Sequence, residues 1–471
     1  MKRVLLGGMG SLLLISSCSR VRPPAGGHDI AAPRTADIEN VRLPAGYRIE
    51  VVASTLTFPS GVTFDDIGEP FVVEAGLSHG ERFVPPRLVR VAPDGTTTQV
   101  AAGKNGPWNG VTFARGSFFV AEGGEKEGGR ILRIDRDGTT KTLIEGLPSF
   151  GDHHTTGPVV GPDGFVYFGQ GTATNSGVVE KDAQHPEFHD VPCRDVTLAG
   201  VNFDSADPGK PEAHVTTGAF LPFGQRGEKG QVIPGRVPCS GAILKVPIDG
   251  GAAQLVAWGL RNPFGLAFAP DGRLFVTENG PAVRGSRPIW GAADYLWEIQ
   301  NGSWYGWPDF LGGEPVNKKR FAVPGKEAPA FLLDHAPGTP PMPNAYFGVA
   351  SSSSGLDFSR NAAFGHQGHA FVAQFGDAES TTAKAPVGFK VVRVDPKTGV
   401  IADFAVNAGD KSGPASKVGG NGLERPVACR FDPKGTALYV VDYGVMSVTD
   451  KGLTPMESTG VLWKITRERA Q

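Results

Sequence analysis

Residues 261 to 280 read RNPFGLAFAPDGRLFVTENG, and the reading of the whole chain turns on this stretch. A short apolar run, PFGLAF, meets Asp271-Gly272, and a second apolar run returns from it and ends in small and acidic residues. Asp-Gly between two apolar runs predicts a β-hairpin, because glycine accepts the positive φ that a tight turn needs. The pattern recurs in FPSGVTFDDIGEPFVVEAG from Phe58, PWNGVTFARGSFFVAEGG from Pro107 and HTTGPVVGPDGFVYFGQG from His154. It returns in SSGLDFSRNAAFGHQGHAFVAQFGD from Ser353 and RPVACRFDPKGTALYVVDYG from Arg425.

Between the copies lie further strand-like pairs: RLVRVAPDGTTTQV, GRILRIDRDGTTKTL, GAILKVPIDGGAAQLV and FKVVRVDPKTGVIADF. Six hairpins, each completed by a second strand pair, predict an all-β, six-bladed β-propeller over residues 41–471. The last stretch, GVLWKITRE near 460–468, is expected to pair with N-terminal sequence and close the ring, which hides the terminal edges. Spacing between copies places insertions near 172–235 and 281–350. Function is expected there, because a rigid scaffold displays its chemistry on loops at one mouth.

Composition agrees with many strands and tight turns. Hydrophobic residues are 40% of the 471, charged residues 20%, and 66 Gly with 39 Pro exceed a fifth of the chain. The formal charge is −2, Lys and Arg are scattered, and nothing points to a nucleic-acid partner. No apolar run after the leader is long enough to span a membrane as a helix.

Residues 1–18, MKRVLLGGMGSLLLISSC, have the basic start, apolar stretch and small residues of a cleaved export signal. Ile15-Ser16-Ser17-Cys18 resembles the bacterial lipobox, so Cys18 is expected to be lipidated and 19–40 to form a flexible tether. The protein is then an exported, periplasmic or cell-envelope lipoprotein that meets the membrane only through its lipid. The alternative is an ordinary signal peptide with an incidental cysteine. Three cysteines remain: Cys193 and Cys239 flank one insertion and are expected to pair, while Cys429 sits in an apolar run and reads as a small buried hydrophobe.

Several short motifs invite chemistry. Gly76-Leu77-Ser78-His79-Gly80 fits G-x-S-x-G, but a nucleophile elbow needs a helix next, and ERFVPPRLVRV brings two prolines and a strand. His185-Pro186-Glu187-Phe188-His189-Asp190 has metal-ligand residue types, but Pro186 argues against one helix face, and a surface loop is the simpler reading. Gly151-Asp152-His153-His154 is more informative, because an imidazole where a loop meets an innermost strand, beside a carboxylate, suits general-base chemistry. A turn histidine bonded to backbone is the alternative. Arg261-Asn262-Pro263 and Arg425-Pro426 begin equivalent repeats, so symmetry brings both cations to one channel mouth. Converging arginines fit a bound polyanion; local pairing of each with a carboxylate is the alternative.

From about residue 43 onward the chain resembles the soluble glucose dehydrogenase and sorbosone dehydrogenase family, six-bladed propellers that use pyrroloquinoline quinone (PQQ) and calcium. The resemblance is strongest in GLRNPFGLAFAPDGRLFVTENGP, Gly259 to Pro281, and in GDHHTTGPVVGPDG, where spacing to Gly161-Pro162-Asp163 selects His153 over His154. It implies that Arg261 and Asn262 touch the quinone and its carboxylates, that Arg425 binds from the opposite side, and that the Gly280 and Pro281 carbonyls hold calcium. His153, oriented by Asp152, would take a sugar hydroxyl proton, with Arg261 polarising the quinone oxygen. SWYGWP, Ser303 to Pro308, is similar to the family's aromatic loop and would form the calcium region or a substrate wall.

Two departures stand out. Val427 occupies the place of a second arginine, and the cofactor lysine has only Lys384 and Lys390 nearby, with Lys384 taken as the candidate. The expected activity is PQQ-dependent oxidation of an aldose or sorbosone-type sugar, with electrons passed to an external acceptor. A non-catalytic propeller binding carbohydrate or protein, and a calcium-dependent lactonase, are the competing readings. The lactonase would need acidic metal ligands around the channel, and the sequence assigns no such set.

Overall fold

Each apolar-turn-apolar unit forms the inner hairpin of a four-stranded antiparallel sheet, and six such sheets ring a central channel. The computed structural model describes residues 32–76, 84–124, 128–179, 188–207, 210–377, 385–449 and 452–468. The innermost strands of blades 1 to 6 are Gly61–Phe64, Trp108–Ala114, Thr155–Val160, Pro263–Phe268, Ser353–Phe358 and Pro426–Phe431. Their hairpin partners are Pro70–Glu74, Ser117–Glu122, Phe165–Gln170, Leu274–Glu278, Ala370–Gln374 and Ala437–Asp442. In the blade 4 hairpin Gly272 turns at φ +88° and its N–H donates to the Ala269 carbonyl at 2.9 Å, the role its Asp-Gly pair predicts.

Closure comes from the chain's two ends. Gly460–Arg467 is the third strand of blade 6, and Tyr47–Leu56 pairs with it antiparallel as the fourth, with Ile49 opposite Ile465. Apolar side chains fill the spaces between blades. Between blades 5 and 6, Phe364, Phe371, Phe404, Phe431 and Trp463 form one buried cluster; edge-on ring pairs there lie 4.7 and 4.8 Å apart.

The inner strands approach so closely that a side chain at one position in blades 1, 2, 4 and 5 would crowd the neighbouring backbone, and in blade 3 the equivalent Gly157 holds φ +91°. Gly61, Gly110, Gly157, Gly265 and Gly355, with Ala428 in blade 6, line the same narrow cavity of the channel. A Cβ on Gly265 would lie 2.4 Å from the Ser354 carbonyl oxygen, and one on Gly355 2.7 Å from the Ala428 Cα. Register slips by a bulge at this level in blades 2 to 6, bending each strand as it enters the crowded axis.

A second repeated device anchors the mouth where the inner strands begin. The last residue of each hairpin return is Glu74, Glu122, Gln170, Glu278, Gln374 or Asp442, and all six are buried. Their side chains hold the segments leading into the inner strands: Glu74 accepts from Thr57 N at 2.6 Å, Glu278 from Arg261 N, and Asp442 from Glu424 N and Arg425 N at 2.9 and 2.8 Å. Glu74, Glu278 and Asp442 are therefore buried caps for orphan backbone donors, while Glu122 accepts from side chains, among them Trp108 Nε1 at 3.1 Å.

Some boundaries differ from the sequence reading. Residues 281–350 do not form one insertion: Ala293–Glu298 and Ala345–Val349 are the third and fourth strands of blade 4, leaving separate loops before and between them. No Asp-Gly turn joins these strands, so the repeat was hidden. The tether expected to residue 40 ends sooner, because the buried Arg34 guanidinium pairs with Asp442 at 3.0 Å and Val41–Arg42 adds a fifth strand to blade 5. Cys193 and Cys239 are joined as a disulfide at the base of the blade 3 insertion. Cys429 is free and buried, and burial pushes its thiol well above the ordinary range. Cys18 lies outside the described residues, and among those described no helix is long and apolar enough to cross a membrane.

The axial constraint predicts that Gly265→Ala costs about 1–3 kcal/mol from overpacking alone, since Gly265 has no positive φ to lose. Gly338→Ala, where no atom lies within 4 Å of the added Cβ, is expected to stay within about 0.5 kcal/mol of the parent. Urea unfolding of the two variants checks the difference.

Candidate functional site

Loops at the starts of the inner strands and the ends of the hairpin returns share one mouth of the channel, and blade 3 supplies its first functional group. His153 immediately precedes the blade 3 inner strand and is buried. Its Nδ1 lies 2.8 Å from the Thr172 carbonyl oxygen and 3.1 Å from Thr172 Oγ1. A carbonyl only accepts, so Nδ1 carries the proton and Nε2 keeps the lone pair. Burial, then the Arg261 charge, holds the imidazole well below its usual range, so it is neutral and able to take a proton. His154 Nδ1 meets the Ser149 carbonyl oxygen at 3.0 Å, the local backbone role a turn histidine is expected to fill.

Asp152 does not orient the ring. Its carboxylate pairs with Arg284, on the loop after the second strand of blade 4. Burial raises the Asp152 carboxyl, but Arg284, His153 and Arg261 outweigh it and hold it below the carboxylate range. The expectation that Asp152 steers His153 is thus corrected: the Thr172 carbonyl does so, nineteen residues along the chain.

Thr172 also ties His153 to the next blade, since its N–H donates to the Arg261 carbonyl at 2.9 Å. The buried Arg261 guanidinium donates from Nε to the Asn175 carbonyl at 2.8 Å, from Nη2 to Asn175 Oδ1 at 2.8 Å and from Nη1 to the Asn279 carbonyl at 3.0 Å. No carboxylate takes its side chain in these bonds; Glu278, pushed up to about 7 by burial, accepts the backbone N–H instead. Asn262 donates to Asn279 Oδ1 at 3.3 Å. Asn175 and Thr172 carry much of this geometry, yet GQGTATNSG offers no local sign of it.

Arg425 enters the same mouth from blade 6. Its guanidinium lies about equally between the Phe375 and Phe389 rings, 4.9 and 5.0 Å from their centroids. Among the described residues it reaches only long contacts to the carbonyls of residues 375–377, 3.3 to 3.5 Å, and Nε has no partner. Burial lowers this arginine to about 10, against the pull of Asp377. A buried cation with an orphan donor fits an anionic ligand. Arg261 and Arg425 are joined by no direct hydrogen bond among the described residues; Asn279, which donates to the Ser353 carbonyl at 2.8 Å, links blade 4 to blade 5 between them.

Gly280 and Pro281 follow Asn279. Gly280 N–H donates to Asp294 Oδ1 at 3.0 Å, and a Cβ there would lie 2.3 Å from the Ala293 carbonyl, so only glycine keeps this path. Among the described residues neither the Gly280 nor the Pro281 carbonyl accepts a hydrogen bond, and both oxygens suit a hard cation. Ser303–Pro308 is not a substrate wall. Trp304, Tyr305 and Trp307 are buried, Trp304 packs on Trp258, and Trp307 N–H donates to the Gly259 carbonyl behind the Arg261 turn. Lys384, Ser78 and His185 lie outside the described residues. Lys390 pairs with Asp403 at 2.6 Å on an outer part of blade 5 and does not fill the lysine's place. Asp190, from the histidine-rich segment, is buried and accepts from Ala173 N at 2.7 Å and from Thr174 Oγ1, bracing the Thr172 loop.

Residues 235–396 match the family model described as Glucose / Sorbosone dehydrogenase. Quinoprotein glucose dehydrogenase B of Acinetobacter calcoaceticus is 27% identical over 176 residues, 36% of this chain, and the match spans 29% of that protein's length. The PQQ-bound aldose sugar dehydrogenase of Streptomyces coelicolor superposes with a TM-score of 0.52 at 16% identity, over 90% of this chain and 99% of that one. The calcium structure of a Trichoderma reesei family AA12 carbohydrate-active enzyme gives a TM-score of 0.57 at 14% identity, over 93% and 100%. At these identities the structural likeness speaks for the propeller fold.

Burial, and then repulsion from Asp152, raises the Asp190 carboxyl from 3.8 to about 7. A carboxyl raised on folding favours the native state at low pH and loses that contribution as pH climbs towards its folded value. Asp190→Asn is therefore expected to gain stability relative to the parent as pH rises from about 5 to about 8. Thermal unfolding across that range checks the sign.

Proposed function

We propose that this propeller, similar over residues 235–396 to glucose/sorbosone dehydrogenases, is a PQQ-dependent dehydrogenase of an aldose or sorbosone-type sugar. The observation that carries the reading is Thr172: it fixes the His153 tautomer with its carbonyl and holds Arg261 with its N–H. A neutral base and a buried cation are thereby locked side by side at one mouth. Arg425, with its orphan donor, faces the same mouth and suits a carboxylate-rich planar ligand.

PQQ, when bound, supplies the two-electron acceptor for the hydride that leaves the sugar carbon, and calcium supplies a Lewis acid. Arg261, Asn262 and Arg425 would hold the quinone, and the Gly280 and Pro281 carbonyls the calcium. His153 Nε2 accepts the proton of the sugar hydroxyl as its carbon is oxidised. The Thr172 carbonyl keeps Nδ1 protonated, so the ring presents the same nitrogen at every turnover. Arg261, fixed at three points, contributes positive charge without reorganising. Burial, with the Arg261 charge, holds the His153 imidazole well below its usual range and so favours the neutral ring.

The setting extends the proposal. The chain works outside the cytoplasmic membrane, held by lipid on Cys18, and hands electrons to an external acceptor. The leader sequence and the Cys193–Cys239 bond, of a kind that persists in oxidising compartments, support this. Labelled fatty acid incorporated by the parent and lost in Cys18→Ser is the expected result.

Reconstitution with PQQ and calcium, followed by dye-linked oxidation across aldoses and sorbosone, tests the activity. Turnover is expected to need both additions, to fall about 10²–10⁴-fold in His153→Ala, and to show weakened PQQ affinity in Arg425→Ala. Calorimetry showing no PQQ binding to the parent overturns the reading in favour of a binding propeller.

A further inference from the structure

Arg284 belongs to no motif, yet its loop is built with care. Asn175 Nδ2 donates to the Ala282 and Arg284 carbonyls at 3.0 and 3.3 Å, and Ala282 N–H donates back to Asn175 Oδ1 at 3.0 Å. Ser176 Oγ holds the Arg287 carbonyl at 2.7 Å, and the buried Arg287 guanidinium pairs with Asp309 at 2.9 Å. The loop is thus fastened on both sides of Arg284 to the blade 3 segment that also fixes Arg261. From this frame the Arg284 guanidinium reaches back to Asp152, next in sequence to His153.

We propose that Arg284 is a positioning residue of the proton-accepting site: by holding the Asp152 carboxylate on its loop, it keeps that negative charge from capturing His153 as an imidazolium. This deepens the dehydrogenase reading and rests on it for its role in turnover. Among the described residues, the charged groups around His153 are Asp152 on its own segment, Arg261 from the blade 4 turn and Arg284 from the loop after its second strand, with Asp190 behind Asp152. Arg284 carries the only hydrogen bond to the Asp152 carboxylate among the described residues. Without it the carboxylate acts on the neighbouring imidazole with one opposing cation instead of two. The charged ring is then favoured, and a general base is lost over the lower part of the working pH range.

The direct test follows the His153 ring by NMR in ring-labelled protein, its signal assigned by its loss in His153→Gln. Arg284→Gln is expected to raise the ring's proton affinity about tenfold, Arg284→Lys to restore it, and Asp152→Asn in the Arg284→Gln background to lower it again. In the PQQ- and calcium-loaded protein the acid limb of kcat/KM moves to higher pH in Arg284→Gln, while the high-pH plateau is kept. An unchanged titration in Arg284→Gln, or the same rise in Arg284→Lys, overturns the proposal. The titration shifting in a protein that oxidises no sugar supports the Arg284 assignment and removes the dehydrogenase reading, so the two fail separately.

Discussion

The close approach of six inner strands at the channel axis is the constraint on which the rest of the structure depends. Glycine, or in blade 6 an alanine, stands where each strand passes its neighbour: in blades 1, 2, 4 and 5 an added Cβ would crowd neighbouring atoms, and in blade 3 Gly157 holds a positive φ. The inner strands meet at that contact, and in blades 2 to 6 a bulge beside it bends the strand where it leaves the mouth. Buried carboxylates and amides then fasten the strands' first residues, so the groups that begin the inner strands are held rigidly. A site built there inherits its precision from the scaffold.

The candidate site follows from that arrangement, with blade 3 and blade 4 as its working pair. The Thr172 loop crosses from one to the other, and its carbonyl and N–H serve His153 and Arg261 at the same time. Asn175 does the equivalent for the Arg261 side chain and the Arg284 loop. Two short backbone segments thus set the base, the cation beside it and the carboxylate next to it. Arg425 stands apart, flanked by two phenylalanine rings and long carbonyl contacts, and is the group whose bonding is least complete.

Much of the fold was legible because its signals are local. Hairpins announce themselves through apolar runs and Asp-Gly, and repeat equivalence alone placed Arg261 and Arg425 at one mouth. The outer strands of blade 4 were missed, since ADYLWE and AYFGV are separated by long loops without a turn signal. Site residues were legible where they sit inside repeats and illegible where the partner is distant. Asp152 looked like the partner of His153 because it is adjacent, but its carboxylate pairs with the distant Arg284, and a carbonyl has no signature in sequence. SWYGWP read, from its likeness to the family's aromatic loop, as part of the calcium region or a substrate wall; packed on Trp258 and Gly259, it is the support behind the arginine turn.

A crystal structure of the protein equilibrated with PQQ and calcium tests the central claim most directly. The account predicts the quinone between Arg425 and the Arg261-Asn262 pair, its carboxylates satisfying the orphan Arg425 donor, calcium on the Gly280 and Pro281 carbonyls, and His153 Nε2 facing the space left for a sugar hydroxyl. Saturating PQQ that leaves this mouth empty, or that binds elsewhere on the propeller, would contradict it.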